Sequence, residues 1–207
     1  MSTRGRPRQF DRDQALETAM RLFRHHGYEG TSVSFLGESM GINTPSLYAA
    51  FGSKDALYQE AVNLYLTKVV LPLFTSMSNA TSAREGIKTL LEKCAEAFTC
   101  NPESGRGCMV LNGDLVYAPS QQKRAKDMTQ RRSFAGNAIL QRLERAQLEH
   151  EIPADTNVKA LASYFLMLLQ GLSIGAHDDA SQQDLQQIIN MAMLAWPGLA
   201  SRIKGDN

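Results

Sequence analysis

The scarcities of this sequence narrow its class before any motif does. Cysteine is scarce: Cys94, Cys100 and Cys108 are the only three in 207 residues. They are too few and wrongly spaced for a structural zinc set or a disulfide framework, and reduced thiols fit a cytosolic chain. No stretch approaches the roughly 20 uninterrupted apolar residues that a bilayer span needs. The start, MSTRGRPRQFDRD, is basic but lacks the apolar run of a secretory signal. A cytoplasmic chain with no membrane partner is expected. A dominant charge sign is missing too: 22 Lys and Arg against 21 Asp and Glu leave a net charge of +1, which excludes a histone-like coat. The chemistry of catalysis is equally thin. There is no Gly-rich phosphate loop, no Ser/His/Asp ordering and no carboxylate pair, and His25, His26, His150 and His177 show no ligand spacing. We expect no enzyme, no metal and no cofactor.

What is present is helical periodicity. Hydrophobic residues make up 43% of the chain and charged ones 21%, as in an ordinary globular protein. Almost every segment repeats its apolar residues at the helical interval, and none alternates like a strand. A first helix is predicted from Asp11 to His26, with Ala15, Leu16, Ala19, Leu22 and Phe23 as its apolar stripe and Gly27 as its end. Two short helices follow. Ser32 caps one containing Leu36 and Met40; Gly41 breaks it; Asn43 or Thr44 caps the next, with Pro45 in its first turn. A longer helix runs over 54–77, kinked or cut short by Pro72. Further helices are expected at 82–100, 108–117, 119–150, from Asp155 to Gly175, and at 181–196. Lys123, Arg124, Lys126, Arg131 and Arg132 read as a solvated helix face.

The informative run is 31–57. Two two-turn helices cannot stand alone, so a third must close their core. Leu36, Met40, Ile42, Leu47 and Phe51 supply the inward positions with Leu22 and Phe23, and the tight Gly41-Ile42-Asn43 corner sets a near-perpendicular crossing. That leaves Thr44, Ser46, Tyr48 and Ala50 outward, short or amphipathic groups able to reach base edges and phosphates. With its hydroxyl-capped second helix, Gly-apolar turn, Leu47-Tyr48, Phe51 and Ser53-Lys54-Asp55-Ala56-Leu57, the run resembles the TetR/AcrR-type family of transcriptional regulators. The likeness is close over about the first quarter of the chain and a matter of layout beyond it.

The resemblance implies an all-α fold: a three-helix helix-turn-helix DNA-binding domain with a basic arm (1–53), then a larger α-helical effector-binding and dimerisation domain (54–207). It implies double-stranded operator DNA as a partner. Ser32 and Ser34 would touch phosphates or a flanking base, and Thr44, Pro45 and Ser46 would read bases. Tyr48 and Lys54 would clamp phosphates, and Arg4 and Arg6 would enter the minor groove. A symmetric operator calls for a homodimer. The candidate interface is Leu168, Gly171, Leu172, Gly175, Ile188, Ile189, Met193 and Trp196, although the same apolar stretch would serve as a helix buried within one chain. Candidate pocket residues for an unidentified small-molecule effector are Phe74, Leu91, Phe98, Cys108, Met109, Asn112, Tyr117 and Phe165; Met and Phe at this spacing also suit plain core. Cys108, placed at an expected helix N-terminus beside Arg106, is a candidate thiol for a reactive electrophile, or a buried apolar thiol. Three functions are open on these grounds: a repressor released by its effector, a regulator of the same fold acting without a small molecule, and an all-helical enzyme or carrier.

Overall fold

The computed structural model describes residues 11–100, 105–113, 121–194 and 196; Arg4, Arg6 and Tyr117 lie outside the described residues. The described residues are helical with no strand among them. α1 (Arg12–His26), α2 (Val33–Met40) and α3 (Thr44–Phe51) form an N-terminal head. Each starts at a side chain that accepts an otherwise orphaned N–H: Asp11 from Asp13 and Gln14, Ser32 from Phe35, Asn43 from Ser46. The head's core is Ala15, Ala19, Phe23, Leu36, Leu47 and Phe51, all buried. Burying each of the larger ones stabilises by roughly 1.5–3 kcal/mol. Arg12 braces the outside, its guanidinium 2.7 Å from the Glu60 carboxylate and 4.5 Å from the Phe51 ring centre.

α4 (Lys54–Tyr65) packs along α1 and carries the chain from the head into the body. The expected kink at Pro72 takes a specific form. One π-helical turn, Leu66–Val70, precedes α5 (Leu71–Ser78), and the Leu71 N–H donates to the Leu66 carbonyl. Proline cannot donate to the carbonyl four residues back and its ring collides with it. Widening the preceding turn avoids both faults without ending the helix.

In the body, α6 (Ala83–Thr99) packs against α5, α7 (Gln122–Leu148), α8 (Val158–His177) and α9 (Gln182–Leu194). Ile87, Leu90, Leu91, Ile139, Leu143, Leu161 and Phe165 are fully buried among them. Head and body are bolted together by Arg24 of α1, which donates to the Ala97 carbonyl at 2.7 Å and the Gly107 carbonyl at 3.0 Å.

Three readings of the sequence need correction. Residues 108–113 turn rather than form a helix. Their partners are remote: the Gly107 N–H donates to the Phe98 carbonyl and the Cys108 N–H to the Ser173 hydroxyl, at 3.0 and 2.8 Å. Asn112 closes the set, its carbonyl oxygen accepting from that hydroxyl at 2.7 Å. The helix after Asp155 starts later, capped by Asn157, and runs past Gly175 to His177 because Ala176 is buried and anchors the last turn. Arg124 is no solvated side chain: it is 6% exposed, stacked 3.7 Å from the Tyr28 ring centre. Arg131 and Arg132 are half-buried.

Candidate functional site

The corner between α2 and α3 is set by two glycines. Gly41 ends α2 at φ 68°, the left-handed conformation that a side chain resists. Gly37 is buried, and a Cβ there would lie 2.8 Å from the Ile42 carbonyl oxygen; the same close approach lets the Ile42 N–H donate to the Gly37 carbonyl at 2.9 Å. Leu47 and Phe51 face inward from α3, whereas Thr44, Pro45, Ser46, Tyr48 and Ala49 are exposed, Tyr48 by 44%. Ala50 was expected outward and is half-buried, its carbonyl accepting from Arg12 at 3.3 Å. Helical geometry puts Thr44, Pro45, Tyr48 and Ala49 on one stripe, so Ala49 is the position that the period of 3.6 favours. Ser32 and Ser34 are exposed at the start of α2, their hydroxyl oxygens 3.1 Å apart, with Ser32 also serving as the cap.

α2 and α3 carry no acidic residue in their first turns and no basic one in their last. Their N-terminal N–H groups and hydroxyls are therefore what this face offers to an anion. Lys54 stands at the first turn of α4, its ammonium 4.1 Å from the Tyr28 ring centre. Tyr28 is thus held between two cations, Lys54 and Arg124, an arrangement the sequence does not disclose. Burial pushes the Tyr28 hydroxyl pKa up against the pull of Arg124. Next to it, hydrogen bonds from Gln121 (2.7 Å) and Arg124 (3.0 Å) hold the Glu29 carboxyl below its ordinary value. This cluster joins the loop after α1 to α7.

The body holds a narrow apolar seam of about 30 Å³ lined by Phe74, Phe98 and Cys108 with Tyr65, Leu73 and Ala135. Beside it, sharing Leu66, Val70, Arg131 and Phe134 as wall, lies an outer groove of about 420 Å³ between the π turn and α7. Cys108 also borders a cleft of about 210 Å³ between head and body, with Met109, Asn112, Arg24 and His177. Leu91 and Phe165, expected to line a pocket, are fully buried core and line none of these. Cys108 is 5% exposed and starts no helix, and Arg106 donates to the Ala176 carbonyl instead of facing the thiol. The expected helix N-terminus beside Arg106 is therefore absent at Cys108. Burial raises the Tyr65 hydroxyl pKa far above its ordinary value, with the neighbouring Cys108 adding to it, and burial also raises that of Cys94. No group of three His, Cys, Asp or Glu side chains is arranged to hold a metal ion among the described residues.

α8 and α9 present a second uncovered surface. Gly171 is exposed with nothing within 4 Å of where a Cβ would sit, and Ile188 is 48% exposed. Leu168 and Gly175 are half-buried, the latter against Leu185 of its own chain. Leu172, Ile189, Met193 and Trp196 are buried within the chain, Trp196 lying 5.4 Å from the Phe165 ring. They are core, because a helix apolar all round gives no sign of which stripe faces in. The exposed apolar side chains the sequence reading missed are Met167 (69%), Ile174, Met191 (68%) and Leu194.

Comparison with known proteins agrees with this geometry. The family model described as bacterial regulatory proteins, tetR family, matches residues 15–61, from α1 into α4. The HTH-type transcriptional repressor ComR of Escherichia coli K12 is 33% identical over 201 residues, which span 95% of this chain and 94% of that one. The HTH-type transcriptional repressor BdcR of the same organism is 36% identical over 115 residues, 56% of this chain and 58% of its own. Among solved structures, a cysteine-substituted variant of the TetR family transcriptional regulator CifR, complexed with 26 bp operator DNA, has 37% identity and a TM-score of 0.87. That match covers 93% of this chain and all of the other. A capped two-helix corner with an exposed third-helix face, set on an all-helical body and aligned through nearly its whole length, settles the classification: the chain belongs to the TetR family of bacterial regulatory proteins and is a helix-turn-helix transcriptional regulator, not an enzyme.

Proposed function

We propose that this chain is a repressor that binds a two-fold symmetric operator as a homodimer and is released when an effector occupies its body. The observation that carries the reading is the stripe of Thr44, Pro45, Tyr48 and Ala49, exposed on a helix whose other side is spent on the head's core. A two-turn helix sees too few base pairs alone, and a dimer presents two about one DNA turn apart, roughly 34–36 Å. The uncovered α8 and α9 surface supports the pairing. α8 has the length and mean hydropathy (1.4) of a membrane span, yet only a third of it is buried here; we assign its bare face to a second copy. Residues 1–53 then act as the reading unit and 54–207 as the effector and pairing unit, hinged where α4 leaves α1. Acting on DNA, such a regulator would work in the cytoplasm.

Thr44, Pro45 and Ser46 read base edges, and Ser32, Ser34, Tyr48, Lys54 and the arm residues Arg4 and Arg6 hold phosphates and the minor groove. Release follows if the effector binds better to a conformer whose reading heads are wrongly spaced. A reactive electrophile acting on Cys108 is one route, supported by the position of the thiol on the wall of both the seam and the head–body cleft. The closeness of the seam, at about 30 Å³, favours the second reading, a regulator that works without a small molecule.

Selection of bound sites from random DNA, repeated with a panel of small compounds, tests these readings. We expect an inverted repeat whose affinity falls steeply with salt. Tyr48→Phe should weaken all sites alike, and Thr44→Ala should also blur preference at one base pair. Unchanged affinity and preference in both variants would refute the placement of the reading helix. Release by reactive compounds that survives Cys108→Ser would remove the thiol route.

A further inference from the structure

We infer that the groove between the π turn and α7 is a binding site for a small amphipathic anion, a carboxylate carried on an apolar body. The inference deepens the ligand-released reading by naming the class of ligand. The groove offers about 420 Å³, within the ordinary range for a small-molecule site. Its apolar walls are Leu66, Val70, Leu71 and Phe134, the last two 51% and 40% exposed. Leu66, Val70, Arg131 and Phe134 also line the inner seam, so one shared wall separates the groove from the space beside Cys108.

Charge decides the ligand. Arg131 lines both the groove and the seam and its neighbour Arg132 lines the seam; both are half-buried, and neither has a carboxylate within 4 Å among the described residues. Arg131 donates to the Asn63 and Gln59 side-chain oxygens at 2.7 and 3.1 Å; Arg132 donates to the Gly113 carbonyl at 3.4 Å and the Thr129 hydroxyl at 3.2 Å. Every one of these partners is neutral. Arg12, Arg106, Arg124, Arg142 and Arg145 each have an acid within 4 Å, whereas Arg21, Arg24 and Arg84, like the pair here, donate to neutral oxygens; only Arg131 and Arg132 among these are neighbours on a cavity wall. Asp127 also borders the groove, one turn before Arg131, but the Arg131 guanidinium is turned across to α4. Two adjacent cations, partly withdrawn from water and without a counter-charge, favour an oxyanion, which a guanidinium takes in a two-point grip. At the inner end Tyr65 is 1% exposed, with its hydroxyl against the Cys108 thiol. The π turn supplies Leu66, Thr67 and Val70 to the groove; such turns recur at functional sites.

The seam is too tight for an apolar chain as it stands. A ligand anchored at Arg131 and Arg132 would wedge it open, and binding energy spent there selects the wider conformer.

The test uses the full-length protein and three probes of one chain length: octanoate, octanol and octylammonium. Binding is measured by calorimetry, and operator affinity is measured in parallel. Octanoate should bind about tenfold or more tightly than the other two, and Arg131→Gln with Arg132→Gln should erase that preference. Unchanged operator affinity of the ligand-free double variant verifies its fold, and Arg131→Lys should keep part of the preference for the anion. Equal binding of all three probes, no binding by any, or a preference that survives the double substitution overturns the site. Anion binding without loss of operator supports the site while refuting release. Release by uncharged compounds alone does the reverse.

Discussion

At the scale of single residues, two positions carry more than their size suggests. Gly37 matters because the atom facing its hydrogen is backbone, which cannot swing aside. Gly37→Ala should therefore lower unfolding free energy by about 1–3 kcal/mol and weaken operator binding with it; a chemical melt with no shift would show that the corner relaxes freely. Glu151 sets a dependence on acidity. Burial works to raise its pKa, but the Ala83 N–H and then the Arg142 guanidinium, 2.9 Å away, outweigh that and hold it below the ordinary carboxyl value. A carboxyl whose folded pKa is depressed stabilises fully above its unfolded value and loses that contribution as pH falls through the folded one. The melting temperature should thus drop as pH falls below about 4.5, the ordinary glutamate range. Glu151→Gln should melt lower at neutral pH, because it strands a 2% exposed guanidinium, and show a flatter acid limb. Parallel curves for the two proteins would refute the assignment.

At the scale of elements, the fastening of α7 to the head is the feature most open to dissection. The Tyr28 ring meets both Lys54 and Arg124, and its hydroxyl also lies within reach of Arg124. Tyr28→Phe, which keeps the ring and loses only the hydroxyl contact, should cost less than Tyr28→Leu or Arg124→Met, each of which should cost about 1–2 kcal/mol in urea unfolding, with a combined loss smaller than the sum. Strict additivity would dissolve the sandwich. The same elements show what a sequence conveys. Helix starts were legible at Asp11, Ser32 and Asn43 because a cap acts on its own next three residues, and the head was legible because its spacing is local. The turn at 108–113 was not, since Phe98 and Ser173, which hold it, are distant along the chain. Nor was the role of Arg124, Arg131 and Arg132, whose long stems let a charged residue sit in a wall while reading as surface. α8 hides its outward stripe for the opposite reason: with apolar residues on every side, periodicity marks no face, and the buried Leu172 reads from sequence like the exposed Met167.

At the scale of the whole molecule, pairing and DNA grip should fail together. Met167→Lys with Met191→Lys places charge on the bare α8 and α9 surface without touching a buried residue. We expect a folded monomer in sedimentation and an operator affinity reduced by several orders of magnitude; a dimer that persists would move the interface elsewhere. The tie from Arg24 to the Gly107 carbonyl has a further mechanical meaning. α1 has 15 residues, a rod of about 22 Å, and Arg24 grips it near one end. Swelling beside Cys108 tugs a fulcrum only one peptide unit away. A tilt of about 5° there sweeps the far tip through roughly 2 Å, more than the tolerance of a hydrogen bond to phosphate. Geared in this way, the protein needs only a small event inside it to lose its purchase on a double helix.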